Sequence, residues 1–136
     1  GNSVKTHRNE TENALKITNL MDMFSISNQK TAIIKADVIG IDEAQFFGDL
    51  YEFVLAIEQF GKTIIISGLD GDSDRKPFGQ ILQCIPLCDR VVKLTAMDMV
   101  DKDGTPAIFT KRIVKKEGQV LVGATESYMA VSRKNY

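Results

Sequence analysis

An α/β fold built on a parallel sheet, with a small β-rich segment after it, is the architecture that this 136-residue sequence predicts. Three observations lead there. Apolar runs recur at "ADVIGID" (36–42), "KTIIISGLD" (62–70) and "RVVKLTA" (90–96), and the first two lack the polar alternation of a half-exposed strand. The stretch between the first two carries a helical period, so strand, helix and strand make one right-handed βαβ unit. From about residue 97 the pattern changes to short runs split by turn residues. These features mark residues 1–96 as an α/β core and residues 97–136 as a small β-rich domain.

Taken in order, residues 1–12 ("GNSVKTHRNETE") are polar and read as a loop. Leu15 and Ile17 alternate briefly, which suggests a strand, and the following "NLMDMFSISNQKTAIIKA" has no clear period. After the first apolar strand, Leu50, Phe53, Val54 and Ile57 fall at i, i+3, i+4 and i+7 and form one apolar helical face. Asp49 with Glu52 three residues later is a capping-box pattern, and Gly61 is suited to end the helix. Phe78, Ile81, Leu82 and Ile85 repeat the helical spacing until Pro86 stops it. Near the end, Asp103-Gly104 is a hairpin signal, and "KKEG" separates "AIFTKRIV" from "QVLVG" as another turn.

Composition narrows the function. Hydrophobic residues make up 43% and charged residues 26%, a globular balance that argues against disorder. With 17 basic and 18 acidic residues the net charge is −1 and no basic patch stands out, so neither a nucleic-acid nor a membrane partner is expected. No apolar run of about 18 residues occurs and no signal-peptide pattern is read, so neither a membrane span nor secretion is expected. Cys84 and Cys88 flank Pro86 and read as packed free thiols in a reducing, cytoplasmic setting. His7 is alone, so there is no histidine pair for a metal site.

The candidate chemistry lies at strand ends. Ligands of open parallel sheets bind at the carboxyl ends of the strands, and there stand Asp42 and Glu43 after one strand and Asp70 and Asp72 after the next. An acid ending an apolar strand is where P-loop enzymes hold Mg²⁺. A second carboxylate beside it is placed to act as general base toward a hydroxyl. The alternative is that Asp42 and Glu43 merely cap the next helix in a solvated loop. Asp70, Asp72 and Asp74 imitate the start of a calcium loop, but Arg75 and Ile81 stand where Gly and Glu belong, so calcium is rejected. Phe46, Phe78 and Tyr128 are available to stack a planar base, though single aromatics are more often core. No G-x-x-x-x-G-K-[ST] phosphate loop occurs.

The segments "VIGIDEAQFF", "SGLDGD…RKPFGQIL", "VVKLTA", "FTKRI" and "QVLVGATESYMAVSRKNY" together resemble the type II (cytosolic, tetrameric) thymidine kinase family, in order from Thr6 to Tyr136. The resemblance implies a P-loop α/β domain followed by a zinc-ribbon-like domain with a lasso loop. It implies transfer of the ATP γ-phosphate to the 5′-hydroxyl of thymidine, with Mg²⁺, in a cytoplasmic homotetramer. Residue by residue, it makes Glu43 the general base, and places Asp42 and Arg112 near Mg²⁺ and phosphate. It places Gln45, Phe46, Leu69, Phe78, Thr110 and Tyr128 at the nucleoside pocket. "QVLVGA" (119–124), with Leu121 and Gly123, resembles the lasso whose backbone reads the thymine edge.

Three departures accompany this resemblance. The family's P-loop strand, loop and helix are expected ahead of Gly1, as about four to five dozen further residues, roughly one βαβ unit. Ser73 stands where the family has an aromatic residue. The four zinc-ligand positions hold Asp98, Asp101, Ser132 and Asn135, a hard and weakly donating set, so no zinc is expected. Hydrogen bonds from the Asn135 amide, the Ser132 hydroxyl or nearby backbone N–H groups to Asp98 or Asp101 are expected in its place. Met97, Met99, Ile108, Val114 and Val131 are the candidates for apolar filling around them. A competing reading is a degenerate, non-catalytic domain with an assembly or nucleoside-binding role.

Overall fold

The computed structural model describes residues 3–5, 11–113 and 127–136. Where the sequence reads as a polar loop, β1 (Ser3–Lys5) and β2 (Thr11–Asn13) pair antiparallel, with Val4 opposite Glu12. Val4 is the one apolar residue of the two strands, so backbone pairing forms them without a hydrophobic signature. The strand expected at Leu15 and Ile17 is not formed, and that stretch is irregular. A 3-10 turn over Leu20–Phe24 follows, with Leu20 and Met23 buried on its eclipsed i, i+3 side. Helix α1 (Ser27–Lys35) comes next and buries Ile33. Its first turn, Ser27, Asn28 and Gln29, carries no apolar residue, which is why no helical period shows there.

The core forms around the expected βαβ unit. Strands β3 (Val38–Ile41) and β4 (Thr63–Ile66) pair parallel in the register Ile41 to Ile66, joined through helix α2 (Leu50–Glu58). Leu50, Phe53 and Ile57 are at most 2% exposed, and complete burial of such side chains stabilises by about 1.5–3 kcal/mol each. Ile39, Ile41, Ile64 and Ile66 pack toward the helices, and the Phe24 and Phe53 rings meet at 5.7 Å. The other face of the pair is uncovered among the described residues: Val38 is 54% and Ile65 59% exposed. The apolar runs predict burial on both faces, and only one is realised.

The expected capping box is absent. Asp49 stands at the N-cap of α2 without capping it. Its two oxygens accept instead from the Leu20 and Met21 backbone N–H groups at 3.2 and 2.9 Å, tying the first 3-10 turn to the helix. Gly61, expected at C′, lies one position beyond it: the helix ends at Glu58 with Gln59 as C-cap, and Gly61, at φ +63°, closes the turn that follows.

Two further expectations are corrected. Residues 90–95 form no strand; Val91, Val92 and Leu94 are exposed, and β5 (Ala96–Met97) pairs antiparallel with β6 (Pro106–Ala107). A strand needs a neighbour for its N–H and C=O groups, and the described residues supply none alongside residues 90–95. The helical spacing from Phe78 to Ile85 yields a 3-10 helix, Leu82–Leu87, with Pro86 inside it. Proline removes an i−4 hydrogen bond and clashes with that carbonyl. The observed bonds are the shorter i−3 kind, Cys84 N–H to Ile81 O and Cys88 N–H to Ile85 O. Cys84 is buried and Cys88 exposed, both free, so only one of the thiols is packed.

In the final third, the Asp103-Gly104 signal falls in the β5–β6 connection. Strand β7 (Phe109–Arg112) pairs antiparallel with β8 (Tyr128–Val131). Val131 and Ala107 are buried there. The expected "KKEG" turn, Val114 and the "QVLVGA" lasso with Leu121 and Gly123 lie outside the described residues.

Candidate active site

The end of β3 supplies the carboxylate pair. Ser67 N–H donates to Ile41 O at 2.9 Å and Ala44 N–H to Ser67 O at 3.0 Å, so the two strands stay stitched past their ends. Asp42 Oδ1 accepts from Ser67 Oγ at 2.9 Å and from the Glu43 N–H at 2.9 Å. Glu43 then turns the chain with a left-handed backbone, φ 50° and ψ 43°. A short 3-10 turn over Ala44–Phe46 follows. Asp42 and Glu43 are both exposed, so the pair faces solvent from a rigid corner.

Gln45 sits directly beneath. It is 4% exposed, donates from Nε2 to Glu43 Oε2 at 2.6 Å, and accepts at Oε1 from the Leu69 N–H at 3.1 Å. Phe46, 68% exposed, meets the edge of Phe78 at 5.5 Å between ring centroids. Phe78 N–H donates to Asp70 O at 3.0 Å. Glu43, Gln45, Phe46, Leu69 and Phe78 are therefore brought together.

A second group of site positions lies around β7. Leu69 and Thr110 line a cavity of about 360 Å³ with Asp70, Arg75, Lys93 and Phe109. Lys93 bonds Asp70 at 2.8 Å, and that ion pair holds the Asp70 carboxyl below its ordinary range. Arg112 stands opposite Tyr128 in the strand register, its guanidinium 6.0 Å from the ring centre. Leu69 belongs to both groups and joins them. The loop after it is a turn built on Asp72, whose Oδ1 accepts from the Asp74 and Lys76 N–H groups at 2.9 Å each. These backbone bonds make the loop a turn closed by Asp72.

Asp98, Asp101, Ser132 and Asn135 converge as well. Asp98 is 1% exposed; its Oδ1 accepts from Ser132 N–H at 2.7 Å, and its Oδ2 from Asp101 N–H at 2.7 Å and Asn135 Nδ2 at 2.9 Å. Asn135 Nδ2 also donates to Asp101 Oδ2 at 2.9 Å. The Asp101 and Ser132 backbone N–H groups lead in lowering the Asp98 pKa to about 2. Of the expected filling residues Val131 is buried, whereas Met97 and Met99 are 68% and 49% exposed. Nearby, Tyr136 Oη donates to the Ser73 carbonyl at 2.7 Å, with the Arg75 guanidinium 4.2 Å over the Tyr136 ring.

Sequence reasoning missed Ser67 and Lys93. Ser67 was findable: with Ile41 paired to Ile66, the next residue of β4 faces Asp42. Lys93 was hidden inside a stretch read as a strand.

The thymidine kinase family model matches residues 1–136. The thymidine kinase of sheeppox virus (strain KS-1) is 43% identical over 137 residues, covering 100% of this chain and 72% of the relative. Thymidine kinase a of Arabidopsis thaliana is 50% identical over 103 residues, covering 75% of this chain and 42% of the relative. The vaccinia virus (strain Ankara) thymidine kinase is 40% identical over 136 residues, again 100% of this chain and 72% of the relative. With a family model spanning every residue and the carboxylate corner folded at a parallel-strand end, the chain belongs to the thymidine kinase family.

Proposed function

We propose that the protein transfers the γ-phosphate of ATP to the 5′-hydroxyl of thymidine, with Glu43 as general base. The observation that carries this is the Glu43 carboxylate, exposed at the end of a parallel strand yet held by Gln45 beside the Phe46–Phe78 pair. As the 5′-oxygen forms its bond to the γ-phosphorus and the bond to the ADP oxygen breaks, Glu43 takes the hydroxyl proton. Asp42, fixed by Ser67, would hold Mg²⁺, which when bound neutralises charge on the phosphates. Phe46, Leu69, Phe78, Thr110 and Tyr128 would form the nucleoside walls, with Arg112 toward phosphate. Leu121 and Gly123 would reach the thymine edge through their backbone. A cytoplasmic homotetramer is the assembly proposed from the resemblance. Among the described residues, no helix is long and apolar enough to cross a membrane.

No zinc is proposed for the Asp98 cluster. Its donor set lacks thiolate and imidazole, and both Asp98 oxygens already accept N–H hydrogen bonds. The same cluster is what favours the second reading, a degenerate, non-catalytic domain with an assembly or nucleoside-binding role. Steady-state phosphorylation of thymidine by the full-length protein separates the two. Glu43→Gln is expected to retain thymidine binding and lose turnover by about 10²–10⁴-fold. Near-normal turnover in that variant would remove Glu43 from the role, and thymidine binding by wild type without turnover would favour the second reading.

A further inference from the structure

Gln45 stands among the nucleoside positions by resemblance, yet both ends of its amide are already engaged inside the protein, with one donor and one acceptor bond made. Oε1 takes the Leu69 N–H and Nε2 gives to Glu43. A backbone N–H only donates and a carboxylate only accepts, so these partners fix which way round the amide sits. Two glycines keep it there. A Cβ on Gly68 would run into Gln45 Oε1, and one on Gly79 would run into the Gln45 carbonyl oxygen. Glu43, by contrast, is exposed on a left-handed backbone, and a long side chain free in water loses its single orientation to entropy.

We propose that Gln45 is a positioning residue: its Nε2 aims the Glu43 carboxylate at the substrate hydroxyl, and its Oε1 ties that aim to Leu69 on the nucleoside wall. The inference rests on the kinase reading above and deepens it. One buried amide thereby sets the distance between the base and the nucleoside pocket. Misplacement of a reacting group by about 1 Å costs on the order of 10²-fold in rate.

The test uses the full-length protein. Gln45→Glu keeps an acceptor for Leu69 and puts a carboxylate in place of the donor to Glu43; Gln45→Met removes both bonds at similar volume. Both are expected to lower kcat about 10²-fold while the thymidine Kd stays within about threefold. A readout independent of activity is the ¹⁵N-labelled Gln45 side-chain amide, whose resonance is expected to move in Glu43→Gln. A Kd raised about tenfold or more with kcat kept would make Gln45 a nucleoside contact and overturn the proposal. So would kcat within about twofold of wild type in both variants, or an amide resonance indifferent to Glu43→Gln. Wild-type protein that leaves thymidine unphosphorylated while the resonance still responds would defeat the kinase reading and leave the Gln45–Glu43 pairing standing.

Discussion

Three glycine-to-alanine substitutions separate backbone strain from crowding at the corner that carries Glu43. Gly61 has φ +63° and open space where a Cβ would go, so Gly61→Ala adds strain alone. A left-handed L-residue costs about 1–2 kcal/mol, offset by about 0.4–1 kcal/mol from the stiffer unfolded chain, leaving about 1 kcal/mol. Gly79 has φ +60°, and its Cβ would lie 2.9 Å from the Gln45 carbonyl carbon and 3.1 Å from its Cα, besides striking the carbonyl oxygen. Those are backbone atoms that yield little, so overpacking of about 1–3 kcal/mol adds to the strain and Gly79→Ala loses about 2–4 kcal/mol. At Gly68 the added methyl meets Gln45 Oε1 and, at 2.6 Å, Ile81 Cδ1. Relief means surrendering the Leu69 bond to Gln45, about 1–3 kcal/mol. Urea titration gives these differences directly, and in melting each kcal/mol is worth about 3–6 °C for a chain of this size. The order expected is Gly79→Ala worst, Gly68→Ala next and Gly61→Ala mildest. Equal losses at Gly61 and Gly79 would show that Gln45 does not pack against Gly79, and would refute the reasoning.

The Asp98 cluster makes an acid-labile fastening. Its pKa is about 2 folded against about 3.9 unfolded, so its contribution is whole above pH 4 or so and is lost as pH falls toward about 2. The near-UV signal of the tyrosines is expected to fade across that window, in the presence of the neighbouring Asp101, Asp103 and Lys134 charges, and Asp98→Asn should weaken the dependence, leaving the part that the lowered Asp70 and Asp103 carboxyls contribute. Melting with excess EDTA is expected to match melting without it, and one tightly held zinc per chain by metal analysis would contradict the hydrogen-bonded account. Tyr136→Phe deletes the bond to the Ser73 carbonyl and should cost about 0.5–1.5 kcal/mol in urea unfolding, with no loss expected if the hydroxyl is solvated instead.

Helix α2 was legible because Leu50, Phe53, Val54 and Ile57 must share one face at any helical pitch, and burial then follows. The carboxylate corner was legible for a similar reason: an apolar run that stops at two acids marks a strand end. Residues 90–95 failed because hydrophobic content reports a wish for burial and says nothing about whether a partner strand lies alongside. The segment from Phe78 to Ile85 failed on a finer point, since 3.0 and 3.6 residues per turn predict nearly the same apolar spacing over so few residues. Asp49 misled because a capping carboxylate and a cross-chain one carry the same sequence signature. The inward turn of the Gln45 amide was beyond spacing altogether, for it depends on the Leu69 N–H arriving from the loop after β4.

The left-handed backbone at Glu43 has an evolutionary consequence. Glycine, asparagine and aspartate occupy φ near 50° at least cost, whereas a longer side chain carries about 1–2 kcal/mol of strain there. Selection for thermal robustness alone would therefore drift this position toward glycine or asparagine and gain stability by doing so. A screen that ranks variants by melting temperature would count the loss of the carboxylate as an improvement. Libraries built to harden this protein therefore need an activity gate at position 43.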